Sequence, residues 1–261
     1  MFNKFNDPRL PKLPDSLLML CEVGSTAHGT GIPGGEDLDQ MGVYIEDIDK
    51  ILGIMPSQKN VMQRTQPEGI RSGPGDIDRT LLPLRNYISL TAAGNPSLIM
   101  TLWSPKYYTN PNFSDRILSN DSLFVGRHII DRYQGYMNGQ AMKLLGLKGH
   151  SGRGKRGSGQ RTELIEKYGY DTKYAMHCSR LGMQCKEILT TGRLAIPMTN
   201  TNGDWLRNLR QGGVPFKEWF DYTLDLYYEL DTFRGDTNIP ENADLTKISE
   251  MCREVYLEYY Y

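Results

Sequence analysis

Apolar residues fall first into short unbroken runs and later into helical spacing. SLLMLCEV at 16–23 is an apolar run that stops at Gly24, which predicts a buried strand. LDQMGVYIE at 38–46, entered from a glycine-rich segment, predicts a second strand, and GDIDRT at 75–80 is a third candidate. In the LLPLRNYISLTAAG that follows, Leu81, Leu84, Ile88 and Thr91 recur at helical spacing, Pro83 is tolerable in a first turn, and Gly94 suits a C-terminal cap. Asn95-Pro96 then reads as the N-cap and first residue of a helix over SLIMTLW. Residues 1–16, punctuated by Pro and Asp, are expected to drape over the surface. From about residue 120 Tyr-rich, helix-like segments take over, and LYYELDTFRG and LTKISEMCREVYLEYYY both look helical. Strands first and helices afterwards predict an α+β protein, with a mixed sheet in residues 1–125 and a helical domain in 126–261.

The composition is that of an ordinary globular protein: 261 residues, 39% hydrophobic and 23% charged, with a formal net charge of −1. Near-zero charge gives no global sign of a nucleic-acid partner, so any such reading must rest on local charge. Cys21, Cys178, Cys185 and Cys252 are scattered and form no Cys-x-x-Cys pair, which reads as reduced thiols in a cytoplasmic protein. No apolar run has membrane-spanning length, and the N-terminus lacks the apolar core of a signal peptide. The segment KGHSGRGKRGSGQR at 148–161 holds Lys148, Arg153, Lys155, Arg156 and Arg161, no acid and five glycines, and is expected to be a mobile basic loop.

The candidate chemistry lies between Cys21 and Asp47. GTGIPG at 29–34 spells Gly-x-Gly-x-x-Gly, but that fingerprint needs a helix to receive a pyrophosphate, and Pro33 and GEDLD oppose one there. No Gly-Lys-Ser/Thr follows, so a Walker-type phosphate loop is excluded. Asp37 and Asp39 are separated by one residue. In a strand they face the same side about 6.6 Å apart and repel by about 2–2.5 kcal/mol at an effective dielectric of 20. A divalent magnesium or manganese ion between them would offset that cost, whereas two solvated side chains at a strand entrance would give the same spacing. Leu38 between them would point into a core. Gly24-Ser25 upstream, at a strand-to-helix turn, would direct amides and the Ser25 hydroxyl toward an anion.

Gly24-Ser25-x-Ala27-x-Gly29-Thr30 followed by Asp37-x-Asp39-x-x-Gly42-Val43 resembles the signature of polymerase-β-type nucleotidyltransferases, closest to a bacterial and phage branch tied to RNA repair. LRNYISLTAAGNPSLIMTLWSP at 84–105 and GYDTKYAMHCSRLGMQCKEILTTGRLAIPM at 169–198 resemble later blocks of that branch. The resemblance implies a mixed sheet with flanking helices followed by a helical domain. It also implies ATP or another nucleoside triphosphate as substrate, and two magnesium or manganese ions held by three carboxylates. Asp37 and Asp39 would be the first two of these. Asp78, seven residues before Arg85, matches the third, with Asp76 as its rival on the same face. Gly24 and Ser25 would meet the phosphates, and His28 would either touch the nucleotide or serve the fold.

In 171–191, Lys173, His177, Arg180 and Gln184 share one helical face, beside an apolar stripe of Tyr174, Cys178, Leu181, Cys185 and Ile188. A polar stripe of this kind suits a solvated face equally well. The resemblance places Lys173 on the triphosphate, with His177 and Arg180 as further candidates. An RNA 3′ end, such as that of tRNA, is the leading acceptor, with the basic loop tracking its backbone. The alternatives are a protein or small-molecule acceptor, or an inactive nucleotide- or RNA-binding module on the same fold.

Overall fold

The computed structural model describes residues 7–32, 34–54, 56, 58–147, 160–198 and 200–261. Most of the basic segment, 148–159, therefore lies outside the described residues. Strand β1 is Leu17–Val23, helix α1 Gly24–His28, β2 Leu38–Tyr44, α2 Ile48–Ile51, β3 Val61–Arg64 and β4 Ile77–Pro83. They are followed by α3 (Leu84–Ala92), α4 (Pro96–Ile99), β5 (Lys106–Thr109) and α5 (Pro111–Arg116). The remaining helices are α6 (Ile129–Leu144), α7 (Thr162–Tyr168), α8 (Thr172–Thr191), α9 (Asn200–Arg210), α10 (Phe216–Thr232) and α11 (Leu245–Tyr260). The fold is α+β, as the order of runs predicts.

The five strands form one mixed sheet in the order β3-β4-β2-β1-β5, with β2 and β4 parallel and the other neighbours antiparallel. Parallel pairing needs a long crossover, and the segment carrying α2 and β3 supplies it. Apolar side chains from several strands interlock: Leu17 and Leu20 of β1, Tyr44 of β2 and Leu81 of β4 form one buried cluster with Leu13. Leu10 and Leu13 are buried, which corrects the expectation that residues up to 16 only drape over the surface. Pro83 ends β4 and does not open a helix. Its lost amide falls at a strand end, where no further ladder bond is required, and α3 begins at Leu84.

The chain divides into two compact units. The first comprises residues 1–92, 97–124 and 244–261, and the second residues 93–96 and 125–243. The final helix therefore belongs with the sheet, where the sequence suggested one helical domain running to the end. Long-range polar bonds account for this. Tyr256 donates its hydroxyl to Glu46 Oε2 (2.6 Å), Tyr260 donates to the Glu46 carbonyl, and Arg116 pairs with Glu254 and Glu258. Glu46 Oε2 also accepts the Leu84 N–H (3.2 Å), so the same carboxylate caps the start of α3. The chain leaves the first unit after Phe124 and returns at Asp244, whose N–H donates to the Leu123 carbonyl (2.9 Å).

The second unit is built on α8, a 20-residue helix capped by Asp171, which accepts the N–H groups of Lys173 (3.1 Å) and Tyr174 (3.2 Å). Cys178 and Cys185 are buried on its apolar stripe. Helix α10 approaches α8 closely at Gly182, where a Cβ would meet Leu226 Cδ2 at 2.7 Å. Among the described residues no helix is long and apolar enough to cross a membrane.

Candidate active site

Strand register builds the site. Asp39 of β2 sits directly opposite Asp78 of the parallel β4, Val23 at the end of β1 lies opposite Asp39, and Arg64 of β3 lies opposite Asp78. Side chains alternate along a strand, so Asp37 shares the face of Asp39. One oxygen from each of Asp37, Asp39 and Asp78 lies within 4.8 Å of the others, and all three residues are half-buried. At that separation each pair repels by about 0.9 kcal/mol in water-like surroundings and by about 3.5 kcal/mol at an effective dielectric of 20. Three carboxylate oxygens at this spacing are a hard, anionic donor set of the kind that magnesium or manganese takes.

The neighbours of each carboxylate set its role. Gly24 has φ +74°, and a Cβ there would stand 2.0 Å from Asp39 Oδ2. The Gly-Ser turn is thus the wall against which Asp39 rests. Asp78 Oδ1 accepts from Arg64 Nε (3.1 Å) and Ser72 Oγ (2.8 Å), and Arg64 is itself anchored on the Ile70 carbonyl (3.0 Å). Both of those bonds fall on Oδ1. Asp76, the rival, is fully engaged elsewhere. Its oxygens accept from Thr65 Oγ1 (2.9 Å), Gln66 Nε2 (2.9 and 3.0 Å) and the Gly73 N–H (2.9 Å). The Gly73 amide, followed by the Gln66 amide, holds its carboxyl below the usual range. Asp76 shapes the loop before β4 and stands outside the acidic cluster.

The opposite face of the same strands carries a second polar row. Arg79, 2% exposed, donates from Nε to Gln40 Oε1 (2.9 Å) and from Nη1 to Gln63 Oε1 (3.3 Å). Burial lowers its guanidinium pKa. Leu38, expected in a core, is only half-buried, and Gln40 takes the interior position beside it.

Ser25 lies in α1 and donates its hydroxyl to Glu36 Oε2 (2.7 Å), while Glu36 Oε1 accepts the Ile32 N–H (3.1 Å). Glu36 thus closes the glycine-rich segment onto the turn. His28, for which contact with a nucleotide and a role in the fold were both open, is 1% exposed, so its imidazole packs within the turn. Thr30 is equally buried, and its hydroxyl has no hydrogen-bond partner. Arg64 and Ser72 were missed by sequence reading because only strand register and loop closure bring them to Asp78, and Glu36 because its bond to Ser25 depends on how the glycine-rich segment folds back.

In the second unit, Lys173, His177 and Arg180 lie on one half-buried face of α8, with Gln184 buried below them. This is not a solvated stripe. His177 Nε2 and Arg180 Nε are buried without hydrogen-bond partners, as is the Tyr133 hydroxyl. Burial, then Arg180, Lys173, Arg161 and Arg210, push the His177 imidazole well below its usual range. Burial lowers Arg180 to about 10. Arg161, one of these cations, is paired with the buried Asp171 (3.2 Å).

The model of the family described as "RNA repair pathway DNA polymerase beta family" matches residues 11–210. The chain belongs to this RNA repair pathway DNA polymerase beta family. The matched span contains Asp37, Asp39, Asp78, Lys173, His177 and Arg180, and the family is a polymerase-β-type nucleotidyltransferase family. A search among curated proteins found no match to the chain. Membership of the RNA repair pathway DNA polymerase beta family implies a nucleotide substrate, and its acidic cluster is able to hold a divalent metal.

Proposed function

We propose that this chain moves a nucleoside monophosphate from a nucleoside triphosphate, such as ATP, to an acceptor hydroxyl, with an RNA 3′ end as the acceptor. The convergence of Asp37, Asp39 and Asp78 within 4.8 Å carries the reading. Bound magnesium or manganese ions would supply Lewis acidity at the α-phosphate and charge neutralisation at the leaving pyrophosphate. Asp37 and Asp39 would hold them from one edge, with Gly24 fixing the position of Asp39. Asp78 would contribute Oδ2 as ligand and as acceptor for the proton of the attacking hydroxyl, its other oxygen being held by Arg64 and Ser72. Ser25 would exchange its bond to Glu36 for a phosphate oxygen. The half-buried basic face of α8, taken by itself, suits a polyphosphate: Lys173 acts as a point charge and Arg180 as a planar fork. The family description and the basic composition of 148–161 support RNA as acceptor.

The test is label transfer. Purified protein is incubated with each α-labelled triphosphate, magnesium or manganese, and either RNA or a protein lysate, and compared with Asp37→Ala. Transfer to RNA that disappears in the variant is expected. Transfer that persists in Asp37→Ala would remove the acidic cluster from the chemistry, and label found only on protein would replace RNA as acceptor.

A further inference from the structure

At the end of β4 remote from Asp78 lies a cleft of about 740 Å³. Asp78 and Pro83 are five residues apart on that strand, roughly 16 Å. The cleft is lined by Lys50, Lys59 and Arg85, with amide groups from Asn60 and Asn86. None of the three cations makes an ion pair with a described residue. The one carboxylate lining it, Glu46, already accepts the Leu84 N–H and the Tyr256 hydroxyl. A second cavity of about 430 Å³ adjoins it, sharing Glu46 and Gln58, and carries Tyr259, 47% exposed. Asp47 lines that second cavity, and its Oδ1 accepts the Asp49 N–H.

We infer that this pair of cavities binds an unpaired stretch of RNA, away from the carboxylates. Lys50, Lys59 and Arg85 contact successive phosphates, and a base stacks on Tyr259. Uncompensated cations beside an exposed aromatic ring are the combination that single-stranded nucleic acid requires. The carboxylates of the catalytic cluster repel a phosphate backbone, so a distant cationic foothold would hold the acceptor while its end reaches them. The inference rests on the RNA-acceptor reading above and assigns it a binding surface.

The experiment measures binding of a fluorescent 12-nucleotide oligo(A) RNA by anisotropy across a salt series, without triphosphate. The proteins compared are wild type, Lys50→Ala/Lys59→Ala/Arg85→Ala, and Tyr259→Ala. Lys59, Arg85 and Tyr259 are exposed and Lys50 half-buried, and circular dichroism melts check that each variant is folded. Losing three phosphate contacts should reduce the slope of log K against log salt by about 2, at roughly 0.7 per contact for a single strand. Tyr259→Ala should weaken binding about 5- to 140-fold, as expected for losing one stacked base, with the slope unchanged. A triple variant that keeps the wild-type slope overturns the cleft even if wild type labels RNA, and leaves the acceptor reading standing. Wild type that binds no RNA overturns both.

Discussion

Gly24 offers the sharpest test of how the acidic cluster is positioned. In Gly24→Ala the new Cβ would lie 2.0 Å from Asp39 Oδ2, so the carboxylate must retreat about 1.4 Å to reach ordinary contact near 3.4 Å. The left-handed backbone at φ +74° adds a cost of about 1–2 kcal/mol for any residue with a Cβ. Relieving the clash adds about 1–3 kcal/mol of overpacking. The displaced carboxylate belongs to the cluster, so we expect Mn²⁺ affinity to fall about 10- to 100-fold and turnover by about 100-fold. Calorimetric Mn²⁺ titration, label transfer and urea unfolding read these quantities. A double-mutant cycle isolates the contact: in an Asp39→Gly background, which removes the Asp39 Cβ 2.9 Å away as well as the carboxylate, only the backbone cost should remain, giving a coupling of about 1–3 kcal/mol. Equal penalties in both backgrounds, or wild-type Mn²⁺ affinity in Gly24→Ala, would refute the argument that this glycine sets the carboxylate.

Three further outcomes follow from the same geometry. Asp78→Ala should lose Mn²⁺ binding with little change in melting temperature, whereas Asp76→Ala should lower the melting temperature and keep the metal; calorimetry and melting together detect a reversal. The pKa of His177 is lowered on folding, so the unfolded chain takes up a proton first as pH falls below about 6.5. That contribution is complete above this pH and is lost toward pH 5, by at most about 1.4 kcal/mol per pH unit, and His177→Gln should flatten the urea-unfolding profile across that window. Arg180→Met should raise stability in phosphate-free buffer by about 1–3 kcal/mol, since it removes a buried donor without a partner, and should abolish the stabilisation that added pyrophosphate gives wild type. Equal pyrophosphate shifts in the two proteins would take Arg180 out of an anion site.

Much of the sheet was legible because β1 and β2 carry apolar runs bounded by glycines, and α8 because twenty residues sustain a clean period. Strands β3 and β5 were not. Each has four residues, and Val61, Met62 and Tyr108 are exposed, so no alternation marks them. Asp37 and Asp39 were visible as a pair because their spacing is local. Choosing between Asp76 and Asp78 needed the register of β2 against β4 and the hydrogen bonds that occupy Asp76, and neither is written in a two-residue interval. Glu46, the hub that ties α11 to the sheet, looked like any strand-end acid, since its partner Tyr256 lies 210 positions away. The half-buried state of the α8 polar face was hidden for a related reason. A stripe of Lys, His and Arg has the same periodicity whether it meets water or the body of its own unit.

The backbone bond between Leu123 and Asp244 means that the sheet-bearing half is interrupted at two points that already touch. The intervening hundred-odd residues are then a side branch of the chain, tied at their own neck by Arg127 to Pro240 (2.7 Å) and His128 to Glu241 (3.0 Å). Bridging Phe124 to Asp244 with about three or four glycines would leave the sheet's connectivity uncut, since neighbouring residues are only 3.8 Å apart along a chain. The fold can therefore vary or exchange that branch without rethreading a single strand.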